Sequence, residues 1–229
     1  MENQIAGYSV DVVLCIETGG RVPDMDRVKE RALAFCEDLQ NEMISIGLSV
    51  DSLRVKVIGF RDYACQTDRG AGLSPMDVSP FFELPAQNSG FQSFVKGLRA
   101  EGGGDLPGSG YEALALAINS EWELTGRNRQ VIVLWTDTNS HPLGHGSDHP
   151  DYPKSMPEDF AGLTDWWESK MDKKAKRLLL FAPDCDSWSA ITNHWKEVIM
   201  CTSNLGEGLE ECDYKTILSI IADPEYDNI

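Results

Sequence analysis

The stretch Ser9–Gly20, SVDVVLCIETGG, decides the fold. It opens as an apolar, β-branched run and closes on an acid followed by Thr18, Gly19 and Gly20. Such a run, bounded by a glycine turn, reads as a strand buried on both faces. Glu17 then stands at the carboxyl end of the strand, where open α/β sheets place their ligand sites. Two later stretches end in the same way. The loop Gly102–Gly110, GGGDLPGSG, delivers Asp105 ahead of a helix capped by Ser109, and Val131–His141, VIVLWTDTNSH, is a second apolar strand ending in Asp137. The expectation is three carboxylates, from Glu17, Asp105 and Asp137, meeting at one rim of a sheet.

Outward from that rim, strands and helices alternate. Met25, Val28, Ala32, Cys36, Leu39, Met43 and Ile46 recur at spacings of three and four, which predicts an amphipathic helix from an Asp24 cap to about Gly47. Ser52–Asp62 alternates as a strand and carries Arg61 and Asp62 to its end, where they read as a local ion pair bracing the edge. Ala64–Pro80 reads as a surface excursion, Phe81–Leu84 as an edge strand, and Ser89–Leu98 and Gly110–Trp122 as helices. Arg129–Asp137, Arg177–Ala182 and Glu197–Thr202 read as strands. Helices are expected at Thr164–Lys174, at Asp186–Trp195, and at a last segment carrying Tyr214, Ile217, Leu218 and Ile221. This alternation indicates a mainly parallel sheet with helices on both faces. The irregular stretch Thr138–Leu163 is too long to be a plain connection and is expected to be functional or mobile.

Composition narrows the partners. The chain has 229 residues, a 41% hydrophobic fraction, and 20 basic against 37 acidic side chains, giving a formal charge of -17. That balance argues against a nucleic-acid backbone or an anionic membrane as the main partner. No run approaches the roughly 20 apolar residues of a membrane span, and MENQIAGYSV has no signal-peptide pattern, so a cytosolic location is expected. The six cysteines form no CxxC pair and read as reduced and structural.

SVDVVLCIETGG, KVIGFRDYA (Lys56–Ala64), the GGGD-x-P loop before a helix, VIVLWTDTNSHPLG (Val131–Gly144) and RLLLFAPD (Arg177–Asp184) follow one another like the landmarks of the von Willebrand factor A domain. The chain resembles that family, and most of all its bacterial intracellular branch, over nearly its whole length as one domain, 1–229. The resemblance implies a Rossmann-like three-layer α/β/α sandwich, with a mainly parallel six-stranded sheet and one antiparallel edge strand. It also implies a metal-ion-dependent adhesion site at the carboxyl ends of the strands. By family analogy it points to a protein partner such as a kinase, a phosphatase or an AAA+ ATPase.

The family site opens with Asp-x-Ser/Thr-x-Ser, whose hydroxyls bind Mg²⁺ or Mn²⁺. In this chain Glu17 takes the acid position, and Gly19 and Arg21 take the two hydroxyl positions. Asp105 and Asp137 match the remaining ligands. Both direct hydroxyl ligands are therefore missing, and Glu17 carries its carboxyl about 1.5 Å further than an Asp would. A small dication wants six oxygens at about 2.0–2.2 Å and tolerates this poorly. The expected reading is a non-enzymatic, metal-free binding face built from Glu17, Thr18, Gly19, Arg21, Asp62, Asp105, Asp137 and His141. Two alternatives stay open: a working Mg²⁺ or Mn²⁺ site on Glu17, Asp105 and Asp137, and a metal-dependent hydrolase on the same carboxylates.

Three other patterns carry less. The triple glycine lacks the Lys of a P-loop, and its place is wrong for a dinucleotide fingerprint, so no nucleotide cofactor is expected. His141, His145 and His149 are spaced by four, but Pro142, Gly144, Gly146 and Pro150 preclude a helix. They read as exposed loop histidines rather than zinc ligands. Trp166, Trp167, Trp188 and Trp195 read mainly as core.

Overall fold

A computed structural model describes residues 7–20, 25–102, 107–124, 126–203 and 214–222. The Asp24 cap, Cys212 and the side chains of Tyr214 and Ile217 lie outside the described residues. The strands are β1 (Tyr8–Glu17), β2 (Val50–Phe60), β3 (Met76–Val78), β4 (Phe82–Leu84), β5 (Arg127–Trp135), β6 (Lys176–Pro183) and β7 (Val198–Ser203). The helices are α1 (Met25–Ser45), α2 (Gln66–Ala71), α3 (Asn88–Gly97), α4 (Gly110–Ile118), α5 (Phe160–Lys170), α6 (Asp186–His194) and α7 (Tyr214–Ala222).

The sheet runs β3-β2-β1-β5-β6-β7, with β4 also paired to β2. Pairing is parallel from β2 through β7 and antiparallel where β3 and β4 meet β2. The expected three-layer α/β/α class is what the chain adopts. The antiparallel edge is divided between two short strands, β3 opposite Ile58–Phe60 and β4 opposite Leu53–Val55.

Alternation along β1 feeds two cores. Val10, Val12, Leu14 and Ile16 pack with Phe35, Leu39 and Met43 of α1, Phe91 and Val95 of α3, and Leu218 and Ile221 of α7. Val13 and Cys15 face the opposite core, with Leu114 and Ile118 of α4, Leu163 and Trp167 of α5, and Trp188 and Ile191 of α6. A strand covered on both faces has no polar side to show, which is why its sequence is a nearly continuous apolar run.

Several expected boundaries move for identifiable reasons. Helix α5 begins at Phe160, ahead of Thr164, because Asp159 Oδ1 accepts from the Gly162 N–H and caps it there. The supposed excursion at 64–80 contains α2 and β3. Helix α4 ends at Ile118 and buries almost every side chain, Glu112 included, because α5 and the 141–157 segment leave it no solvent side. Ser109 stands at its N-cap position but makes no side-chain cap. Trp167, Trp188 and Trp195 are buried, and Trp166 is partly exposed beneath the Lys170 ammonium.

Gly110 shows how tightly α4 is seated. A Cβ there would lie 2.6 Å from Trp188 Cη2, on an indole held by its Nε1–H bond to the Thr138 carbonyl. Gly97, at the end of α3, has open space around the same position. Gly110→Ala is therefore expected to destabilise by about 1–3 kcal/mol despite its better helix propensity. Gly97→Ala should be neutral or stabilise by up to about 1 kcal/mol. Urea unfolding of the two variants checks the contrast.

Candidate functional site

Parallel pairing sets the site. β1, β2 and β5 end side by side, with Glu17 opposite Phe60 and Ile16 opposite Trp135. The Glu17 carboxyl therefore reaches the segment just beyond β5. It accepts hydrogen bonds from the Thr136 hydroxyl, the Asp137 N–H at 3.2 Å and the Thr138 hydroxyl at 3.2 Å. Glu17 is 6% exposed. Burial pushes its pKa up to about 7, against these three donors, with the Asp137 charge adding to the rise. Burial also raises Asp137, against a side-chain hydrogen bond with Glu17, and its enclosed Oδ1 receives no N–H or hydroxyl from the described residues.

The segment before α4 closes over this carboxyl. Gly108 bridges in parallel to Ser140, its N–H on the Asn139 carbonyl and its own carbonyl accepting from His141. A Cβ at Gly108 would come within 3.4 Å of Glu17 Oε1 and of the Arg61 carbonyl, so glycine lets the backbone approach this closely.

Asp62 lies beside it, also buried. Its Oδ1 accepts from the Ala64 N–H at 2.9 Å and the Ser109 hydroxyl at 3.3 Å, and its Oδ2 is 3.7 Å from His141 Nε2. The Ser109 hydroxyl also accepts from the Tyr63 N–H. That employment explains why Ser109 does not cap α4. The expected Arg61–Asp62 pair does not form. Arg61 turns to the other side, donating to the carbonyls of Glu101, Ser74 and Arg99 and pairing with Asp77 at 2.8 Å. It thus ties the segment leading to the glycine loop to β3 and the residues just before it.

The 141–152 segment is not a fringe of exposed histidines. His149 is buried against Tyr63, His141 is half-buried with its ring stacked on His145, and only His145 is exposed. The anchor of the segment is Glu112 in α4. Its Oε1 accepts from the Tyr152 hydroxyl at 3.1 Å and the Gly144 N–H at 3.3 Å. Burial raises this carboxyl to about 7 as well.

Of the expected site residues, Glu17, Thr18, Gly19, Asp62, Asp137 and His141 are brought to one rim, while Arg21 and Asp105 lie outside the described residues. Thr18 and Gly19 are buried, and the Thr18 hydroxyl is spent on the Phe60 carbonyl at 3.1 Å. Thr18, Glu17 and Asp62 therefore build the face rather than present themselves on it. Sequence reasoning missed Thr136, Thr138 and Glu112. The first two carried a signal, hydroxyls two apart around Asp137. Glu112 had none, being one acid on a helix.

A divalent cation fits the described residues poorly. Both Glu17 oxygens already receive the chain's own donors, and the nearby hydroxyls of Thr136 and Thr138 are turned to that carboxyl. Among the described residues, no three His, Cys, Asp or Glu side chains come together to hold a metal ion.

Comparison with solved structures then places the architecture. The pilus adhesin SpaC from Lactobacillus rhamnosus GG, in its open conformation, superposes with a TM-score of 0.51 at 14% identity, over 93% of this chain and 29% of SpaC. The chain shares its fold with one segment of SpaC. A second SpaC structure gives 0.52 at 14% identity, over 93% and 30%. The vWF domain of the type V pili tip protein Mfa5 from Porphyromonas gingivalis matches 59% of this chain and 40% of its own at 15% identity, with a TM-score of 0.37, too low to carry weight. The chain spans less than a third of the length of SpaC, and the likeness is one of fold alone. No protein-family model and no curated protein sequence matches the chain.

A carboxyl raised above its ordinary value favours the folded state when protonated. The Glu17 contribution is therefore intact below about 4.5 and is lost as pH rises through about 7. Glu17→Gln keeps the shape and removes the titration. The stability of the wild type relative to this variant is expected to fall by about 1–3 kcal/mol between pH 5 and pH 8. Urea unfolding at the two pH values measures it, and a pH-independent difference would contradict the assignment.

Proposed function

We propose that the chain is a non-enzymatic protein-binding module that engages its partner through the carboxyl-end face of the sheet without a divalent cation. The observation that carries this is the Glu17 carboxyl, whose oxygens are occupied by Thr136, Asp137 and Thr138 rather than left open for a metal. Binding as the general role is supported by the shared fold with part of a pilus adhesin. Against a Ser109 nucleophile, that side chain is fully buried and its hydroxyl also accepts from the Tyr63 N–H.

The reading extends to place and partner. Cys15, Cys36, Cys65 and Cys185 are free thiols, which suits a reducing cytosol. No described helix is long and apolar enough to cross a membrane. A charge of -17 favours a partner with a basic surface and disfavours nucleic acid.

Calorimetric titration with Mg²⁺ and Mn²⁺ tests the central point, and the expected outcome is no saturable binding at micromolar concentration. Affinity capture should recover the same partner with and without EDTA, and lose it with Asp137→Ala. Micromolar Mg²⁺ affinity abolished by Asp137→Ala, or turnover of p-nitrophenyl phosphate dependent on Mg²⁺ or Mn²⁺, would sink the proposal.

A further inference from the structure

Beside the buried carboxyls, on the same face, a cavity of about 410 Å³ opens between the segment after β5 and the first turns of α4, α5 and α6. We propose that it receives an arginine side chain of the protein partner. The proposal rests on the reading of this face as a protein-binding surface and names the chemistry that the partner must offer.

The floor of the cavity is rigid and already satisfied. Asn139 Oδ1 accepts from the Ser187 hydroxyl and from the Ser187 N–H at 3.3 Å. The Ser140 N–H donates to Ser187 Oγ at 3.0 Å, and the Tyr111 N–H to Ser140 Oγ at 2.9 Å. The Tyr111 hydroxyl donates to the Ser187 carbonyl at 2.7 Å. These groups hold one another and have little to gain from a ligand. The rest of the lining is apolar at Pro107, Pro142 and Leu143, aromatic at Tyr111 and Phe160, and acidic at Asp159 and Asp186. The rings lie 5.7 Å apart, tilted by 34°. Phe160 is stacked on Trp195, and Trp195 on the buried Trp167, so the aromatic wall is fixed before any ligand arrives.

Charge decides the sign of the ligand. Three helix N-termini face the cavity, each worth about half a positive charge that fades within a turn. Two full carboxylates oppose them, and one, Asp159, already caps α5 through Oδ1. Its second oxygen and the exposed Asp186 carboxylate remain for a ligand. No lining residue is basic. Two unit charges against three half-charges leave the balance slightly negative, in a chain of charge -17. An apolar and aromatic lining with a carboxylate rim suits a flat, weakly hydrated cation that can pack its plane on apolar surface and pair at its edge, which is a guanidinium rather than an ammonium.

The test titrates the full chain with N-acetyl-arginine N-methylamide and follows backbone amide resonances by NMR. The lysine and citrulline counterparts and spermidine serve as comparisons. The expected result is a saturable shift confined to Asn139, Ser140, Asp186, Ser187 and their neighbours, weaker for lysine and spermidine and missing for citrulline. An Asp159→Asn, Asp186→Asn double variant keeps the α5 cap, since Asn caps as well as Asp, and should bind about fivefold more weakly or worse. The proposal is overturned by any of four results: no shift, shifts spread without saturation over the acidic surface, citrulline, lysine or spermidine binding as well as arginine, or a double variant that titrates like the wild type. The amide probes the cavity alone. Its failure leaves the metal-free binding face to be judged by capture, and a failed capture leaves the cavity result standing.

Discussion

β1 is hydrogen-bonded along both edges, to β2 and to β5, and covered on both faces by helices. Every other feature of the rim follows from that enclosure. A strand with no free edge and no free face delivers its last side chain into the middle of the protein. Glu17 consequently ends where water is scarce, and an unpaired carboxylate there would cost several kcal/mol. The chain answers with three donors from one short segment, two hydroxyls and one backbone N–H, all beyond the end of β5. Because β5 pairs with β1 in parallel, that segment has to pass the Glu17 carboxyl, and no loop need be recruited for the purpose.

The same geometry separates neighbours in sequence. Arg61 and Asp62 follow the end of β2 on successive residues, and successive side chains leave a strand on opposite sides. Asp62 turns toward Ser109 and His141, and Arg61 toward Asp77 and the carbonyls before the glycine loop. Two opposite charges side by side in the sequence thus end in different networks. Each braces a different approach to the rim, Arg61 the 99–101 segment and Asp62 the start of α4.

This explains how far the sequence could be read. The strand–helix alternation, the two-sided burial of β1 and the acids at strand ends were legible because each is a local pattern, fixed by period and by the residue that ends it. The partners of buried polar groups were not. Arg61 finds Asp77 in β3, beyond helix α2, Glu112 finds Tyr152 forty residues away, and His149 packs on Tyr63 from a segment with no regular structure. Such pairings depend on which elements become neighbours, and a four-residue histidine spacing says nothing once Pro142 and Pro150 have removed the helix that would give it meaning. Thr136 and Thr138 stand between the two cases. Their spacing put two hydroxyls on one side of a strand end, but only the register of β5 with β1 shows which acid they serve.

The length of the Glu17 side chain then acquires a reason. An Asp at this position would stop about 1.5 Å short of the β5 segment. It would leave the hydroxyls of Thr136 and Thr138 without their acceptor and its own carboxyl free for an outside ligand. The extra methylene lets the carboxyl cross to the neighbouring strand and take up those donors. Once they are taken, a cation would have to displace three hydrogen bonds to reach the Glu17 oxygens, and Gly19 offers no hydroxyl to help. One methylene therefore converts an acidic position from an open ligand into an internal tie between two strands.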